Sequence, residues 1–147
     1  MKVALLKPEY VEQFPDELQE GVLYISEEFS LTAHKCPCGC GEDVYLKLGP
    51  AKWRLSKNSD STVSLDPSVG NWNYQCKSHY WIRRNRVVGA GAMDSYEIEE
   101  VQRRDRRDRD EHIAAVNAEA DADSGAWAWV RSTAASALRK LRAVWPW

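Results

Sequence analysis

The chain has 147 residues, of which 44% are hydrophobic and 29% charged, and its formal net charge is −2. This length fits one ordinary domain with an appendage, and the near balance of charge gives no overall attraction to nucleic acid or anionic lipid. The apolar run at residues 3–6 is too short for a signal peptide, and no stretch is long and apolar enough to span a membrane. These features predict a cytoplasmic protein.

Residues 1–92 are predicted to form the core domain. Between about residues 20 and 90, short runs rich in β-branched and aromatic side chains recur at roughly ten-residue spacing, which is typical of a small, mainly antiparallel β structure. The stretch at residues 66–71, which contains Pro, Ser, Gly and Asn, is predicted to be a turn. The predicted fold class is α+β, with a β core followed by a C-terminal helical appendage.

The appendage is predicted to contain two helices. Residues 93–123 form a charged helix whose arginines and acids are spaced for i,i+4 ion pairs, and the interleaved acids cancel the field that binding to phosphates requires. Residues 124–147 form an amphipathic helix with Trp127 and Trp145 on its apolar side and basic residues elsewhere. Such a helix can dock on its own domain, on a partner or on a membrane surface, and the sequence leaves these alternatives open.

The cysteines form two clusters, which does not resemble the spread of a secreted disulfide framework. Thiolates and imidazoles are the ligands that zinc prefers, and a β core of this size commonly needs a metal ion to be stable. The candidate ligands are His34, Cys36, Cys38, Cys40, Cys76 and His79.

The simplest ligand set is the four cysteines, which makes a closed, structural Zn²⁺ site. In the alternative, His34 or His79 replaces a cysteine, and an open position on the metal holds the attacking water. The closed site is favoured because zinc bound by thiolates is a poor Lewis acid for attack on a carbonyl.

A closed zinc site leaves His79 free to act as a general base, anchored three residues from Cys76. The candidate nucleophiles are Ser64, Ser68 and Ser78, and Ser68 is favoured because it lies in the predicted turn. The candidate oxyanion donors are the backbone N–H groups of Val69, Gly70 and Asn71, together with the side-chain amide of Asn71.

No carboxylate that would orient His79 can be identified with the same clarity. Asp66, Asp43 and Glu28 are the candidates. His34 is kept as an alternative metal ligand or second base.

The chain resembles the bacterial family called domain of unknown function 6527. The resemblance covers about residues 10–90 and rests on three linked motifs at residues 34–41, 64–71 and 76–82, with a further similar segment at residues 15–25. It implies an association with bacterial ubiquitin-like conjugation genes, and a serine-type peptidase that processes the ubiquitin-like protein or removes it from targets. It also implies that Ser68 and His79 are the catalytic pair and that the four cysteines bind zinc.

The sequence therefore predicts a serine-type peptidase with a structural Zn²⁺, acting on a bacterial ubiquitin-like modifier. Its predicted partners are the ubiquitin-like protein and E1-like or E2-like enzymes. Two alternatives remain open at this point. One is a non-enzymatic zinc-binding interaction module of such a conjugation system, and the other is a zinc metallohydrolase.

Overall fold

A computed structural model describes the backbone of residues 1–144 and the side chains of residues 1–122. Within those residues the chain forms eight strands and one helix. In chain order they are β1 (Lys7–Tyr10), β2 (Val22–Ser26), β3 (Leu31–Lys35), β4 (Asp43–Lys47), β5 (Arg54–Lys57), β6 (Val63–Gly70), β7 (His79–Arg83), β8 (Arg86–Gly89) and α1 (Ser95–Val144). The chain divides into two compact units, Met1–Arg106 and a second unit that begins at Arg107.

The strands form two four-stranded sheets whose spatial order follows the chain order, β1 to β4 and β5 to β8. All neighbouring strands are antiparallel except β1 and β2, which are parallel. Two isolated bridges link the sheets at their edges, Leu5 with Arg86 and Leu48 with Trp53. The predicted α+β class with a mainly antiparallel core is confirmed.

The main core contains buried apolar side chains from both sheets. Its members are Leu6, Leu23, Ile25, Cys36, Val44, Leu46, Val63, Leu65, Val69, Tyr80 and Ile82. Because side chains alternate between the two faces of a strand, the neighbours of Val69 and Tyr80 on β6 and β7 lie on the opposite, outer face of the second sheet. This outer face carries the candidate active site.

The prediction of a turn at residues 66–71 is wrong, because most of these residues belong to strand β6. The strand continues to Gly70, and Val69 and Gly70 pair with Tyr80 and His79 of β7. The register shifts between Leu65 and Val69, so Pro67 lies at an irregularity, one of the few places where a sheet tolerates proline. Pairing with β7 therefore overrides the local turn preference of these residues.

The helix α1 begins at Ser95 with a local capping arrangement. Asp94 accepts a hydrogen bond from the Glu97 N–H at 2.8 Å, and Glu97 in turn accepts one from the Asp94 N–H at 2.9 Å, which forms a capping box. The helix backbone is continuous to Val144, where the sequence predicts two helices.

The division of the appendage into residues 93–123 and 124–147 stays a prediction, and the side chains of Trp127 and Trp145 lie outside the described residues. No helix in the described part of the chain is long and apolar enough to cross a membrane.

Candidate active site and metal centre

The first cysteine cluster occupies the loop between β3 and β4. Cys36 directly follows β3, and its N–H donates to the Glu42 carbonyl at 2.8 Å, which closes the loop. Gly39 has a φ of 88°, in the left-handed region that a side chain disfavours. This tight backbone turns the three cysteines toward one point. Cys76 reaches the same point from the connection between β6 and β7.

The four sulfur atoms fit a metal site. All four Sγ atoms lie within 4.8 Å of one another, with Cys36 Sγ 3.3 Å from Cys38 Sγ and 4.0 Å from Cys76 Sγ. Zinc with four Zn–S bonds of about 2.3 Å in a tetrahedron separates its sulfurs by about 3.8 Å. The prediction that these four cysteines form a group able to hold a metal ion is confirmed.

Burial and hydrogen bonding shift the pKa values of the thiols. Burial and then hydrogen bonding with Cys36 raise the pKa of Cys38 to about 12. Burial opposes ionisation of Cys76 as well, but hydrogen bonds from Ser78 and neighbouring thiols bring its pKa down to about 7. Four thiols this close cannot all ionise without a cation between them, so the donor set favours a bound metal ion.

Behind the cluster lies a buried hydrogen-bond network. Asn71 Nδ2 donates to Ser78 Oγ at 2.9 Å and to Cys36 Sγ at 3.5 Å, and Ser78 Oγ lies 3.1 Å from Cys36 Sγ. The Asn71 N–H donates to the Ser78 carbonyl at 2.9 Å. Such contacts orient and polarise metal-binding thiolates. Asn71, predicted as an oxyanion donor, and Ser78, considered as a nucleophile, therefore have side chains that contact the cysteine cluster.

His34 does not join the cysteines. It is fully buried on β3, and its Nε2 lies 2.7 Å from the hydroxyl oxygen of Tyr80. Burial lowers the pKa of His34 to about 4, so its ring is neutral near pH 7. Burial also raises the pKa of Tyr80. This pair is a core hydrogen bond between the sheets, and it engages His34 Nε2 away from both the cysteine cluster and Ser68.

Ser68 and His79 meet on the outer face of the second sheet. His79 lies opposite Gly70 in the β6–β7 ladder, and Ser68 is two residues before Gly70 on the same face. The diagonal pair places Ser68 Oγ 3.0 Å from His79 Nε2. This is hydrogen-bonding distance for a nucleophile and its general base. Both side chains are half-buried.

The other two candidate serines have different partners. Ser64 Oγ accepts hydrogen bonds from Asn58 Nδ2 at 3.3 Å and from the Arg84 N–H at 3.0 Å. Ser78 faces the metal centre. Of these three serines, Ser68 is the one whose hydroxyl lies within hydrogen-bonding distance of a histidine.

Trp72 packs against the catalytic candidate His79. The two ring centroids are 5.0 Å apart, with the planes tilted by 57°. The same indole lies over Gly70, where an added Cβ atom would overlap the ring. Glycine at position 70 therefore creates the space that Trp72 needs to reach His79. Sequence reasoning missed Trp72, because its contact depends on how the connection between β6 and β7 folds back over Gly70 and has no local signature.

No carboxylate orients His79 within the described part of the chain. His79 Nδ1 is buried without a hydrogen-bond partner there. Of the three predicted candidates, Asp66 lies 3.7 Å from Arg54 and Asp43 lies 2.7 Å from Lys35, each in an ion pair. Glu28 is exposed. Among the described residues, the His79 ring is therefore positioned by its contacts with Ser68 and Trp72.

The backbone of β6 presents one of the three predicted oxyanion donors. The Asn71 N–H is directed to Ser78, and the His79 carbonyl accepts from the Ala90 N–H on the β8 side at 3.0 Å. Gly70 and His79 are therefore a non-hydrogen-bonded pair, in which the Gly70 N–H and carbonyl point away from β7. By the same alternation the Val69 N–H points toward β7. Gly70 is the donor left free.

These features define a class of protein, a small two-sheet domain in which a four-cysteine metal-binding cluster adjoins a Ser–His pair. The family model described as bacterial ubiquitination-like system serine protease (BubE) matches residues 10–90, more than half of the chain, and the chain belongs to this family. The match supports the predicted association with bacterial ubiquitin-like conjugation, under this family description and not under domain of unknown function 6527. No curated protein and no solved structure gives a significant match.

Proposed function

We propose that this protein is a serine-type peptidase that cleaves the C-terminal acyl linkage, amide or ester, of a bacterial ubiquitin-like modifier. The observation that carries the proposal is the 3.0 Å contact between Ser68 Oγ and His79 Nε2. The family description, a serine protease of a bacterial ubiquitination-like system, supports the substrate class. The ubiquitin-like protein and its E1-like or E2-like enzymes are the partners this function requires.

In the proposed mechanism, Ser68 Oγ attacks the scissile carbonyl carbon while His79 Nε2 takes the hydroxyl proton. The Gly70 N–H donates to the oxygen that becomes negative. His79 then gives its proton to the departing amine or alcohol, and the carbonyl–leaving-group bond breaks to leave an ester on Ser68. A water molecule, deprotonated by His79, hydrolyses that ester and restores the Ser68 hydroxyl.

In this proposal the four cysteines hold Zn²⁺ with a structural role. When bound, the ion neutralises the thiolates and ties the β3–β4 loop to the β6–β7 connection. Cys76 lies three residues before His79, so the cluster fixes the backbone that carries the base. The substrate does not contact the metal.

The test is cleavage of a modifier precursor, and of an ester-linked conjugate, by Ser68→Ala and His79→Ala. We expect each variant to lose more than about a thousandfold in kcat/KM, with little change in thermal stability. Ser64→Ala is the matched control, since Ser64 lies on the same strand and bonds elsewhere. Full activity of Ser68→Ala would refute the mechanism.

The non-enzymatic alternative is distinguished by the same experiment. An interaction module would bind the modifier equally well in wild-type and Ser68→Ala forms, and neither form would release a product. The metallohydrolase alternative requires a histidine on the metal. Among the described residues, the group of side chains close enough to share a metal ion contains the four cysteines and neither His34 nor His79, which favours the closed site over a metallohydrolase.

A further inference from the structure

Strand β6 extends beyond its neighbour β5 at the point where Ser68 lies. The four residues of β5 pair with residues 63–66 of β6, whereas β6 continues to Gly70. Within residues 67–70, Val69 and Gly70 pair with β7 on one side, and in the described part of the chain no strand pairs with this segment on the other side. We call this segment the β6 overhang.

The β6 overhang carries unpaired backbone groups. The Gly70 N–H and carbonyl point away from β7, and they have no hydrogen-bond partner among the described residues. On the same side, the Ser68 carbonyl accepts only a long hydrogen bond from Trp53 Nε1, at 3.4 Å. An unpaired strand edge is a template for one kind of ligand, an extended polypeptide.

Trp53 marks the end of the β6 overhang that is nearer to β5. Besides contacting Ser68, its side chain forms one wall of a surface groove of about 660 Å³, whose apolar walls include Ile25, Leu48 and Leu55. Two of the cations at its rim are already paired, Lys57 with Glu27 at 2.6 Å and Arg54 with Asp66 at 3.7 Å. A third cation, Lys52, also lines the groove, which is thus suited to an uncharged or an acidic side chain of a peptide that follows the overhang.

We propose that the stretch of the modifier precursor around the cleaved bond binds as an added strand along the β6 overhang, in line with β5. This inference rests on the proposed function. The scissile carbonyl accepts a hydrogen bond from the Gly70 N–H, so that the oxyanion contact is also one of the main-chain hydrogen bonds between the added strand and β6. A side chain of the substrate lies against Trp53 and enters the groove. Main-chain pairing supplies the affinity, and the groove supplies the sequence preference.

The inference is tested by binding, with no turnover needed. A synthetic peptide that spans the cleaved bond is titrated into Ser68→Ala protein, together with versions N-methylated at one backbone position each. Because alternate N–H groups of a strand face the same side, methylation at every second position is expected to weaken binding about tenfold. The positions between are expected to be neutral. Undetectable binding, or an effect without this alternation, would overturn strand addition.

Substitutions at Trp53 test the groove. In the Ser68→Ala background, Trp53→Ala is expected to weaken binding of the peptide about tenfold, and Trp53→Phe to weaken it less because the apolar wall remains. Tyr45→Ala is the control, since Tyr45 is an exposed aromatic residue on β4 of the other sheet. Equal affinities for all three variants would exclude the groove. If binding is weakened by N-methylation at every second position but the wild-type protein does not cleave the peptide, strand addition stands and the proposed function alone is refuted.

Discussion

The indole ring of Trp72 lies against the imidazole ring of His79, with 5.0 Å between the centroids. His79 Nδ1 has no hydrogen-bond partner in the described part of the chain, so this packing is the contact that restricts the ring on its outer side. A general base must be held within a fraction of an ångström of its productive position. Trp72 is therefore expected to control how well His79 works.

Replacing Trp72 with alanine should lower kcat by about tenfold to a hundredfold while KM changes little, because the imidazole loses its fixed orientation and the substrate contacts remain. Trp72→Phe should recover most of the activity, since it keeps a flat ring beside His79. Steady-state kinetics on a modifier precursor measure both constants. A rise in KM at constant kcat would instead identify Trp72 as a substrate contact.

Gly70→Ala should reduce activity through the same ring. The new Cβ would overlap the present position of the Trp72 indole, and the indole must move away from His79. We therefore expect the double variant Gly70→Ala/Trp72→Ala to be no less active than Trp72→Ala alone, because both changes act on one contact. Additive losses would show that the alanine blocks the Gly70 N–H or the substrate directly.

Removing single carboxylates should leave catalysis nearly intact. Asp66→Asn, Asp43→Asn and Glu28→Gln are each expected to change kcat/KM by less than about threefold, since none of these side chains contacts His79 and surface charges contribute little. The same kinetic assay measures the effect. A loss of several orders of magnitude in one variant would identify the missing member of a catalytic triad.

Asn71→Ala should affect stability more than catalysis. The hydrogen bonds that its side-chain amide donates to Ser78 and Cys36 are buried. Leaving a buried hydrogen-bonding partner unpaired costs about 1–3 kcal/mol of unfolding free energy. Denaturant titration measures that loss. Loss of an oxyanion donor would instead lower kcat by about a hundredfold to a thousandfold. A decrease of that size at unchanged stability would identify the Asn71 side chain as an oxyanion donor.

Withdrawal of the metal should unfold the core domain and abolish activity together. We expect one zinc ion per chain by native mass spectrometry, and its loss in each of Cys36→Ser, Cys38→Ser, Cys40→Ser and Cys76→Ser, because each cysteine supplies one of four ligands. Ser64→Ala, which has no part in the cluster, should retain the ion. A metal-free protein with unchanged melting temperature would contradict a structural role.

The sequence was sufficient to predict the metal-binding group, because cysteines alternating with Pro and Gly combine ligand chemistry with a loop geometry. It was not sufficient for β6. Pro67, Ser68 and Gly70 prefer turns locally, and the strand extends through them because Leu65 on one side and Val69 and Gly70 on the other pair with β7, about ten residues further along the chain. The contacts of Asn71 with Ser78 and Cys36 could not be predicted for a related reason, since they depend on how the end of β6 lies beside the cysteine cluster.

The start of the helical appendage depends on a local signal that the sequence predictions did not single out. Asp94 and Glu97 form a capping box, and the helix begins directly after Asp94. The break predicted between residues 121 and 125, with Asp123 or Ser124 as N-cap of a second helix, stays a prediction.

The bridge between Leu5 and Arg86 has a practical consequence for self-association and for recombinant expression. Residues 4–6 lie along the edge of β8, where the Val87 N–H donates to the Ala4 carbonyl at 2.9 Å, and Leu6 is fully buried in the core. Deleting these residues would open a strand edge next to the exposed side chain of Val88, a template on which two copies can pair and aggregate. A tag placed before Met1 preserves this cover, whereas trimming the chain to the start of the family match at residue 10 removes it.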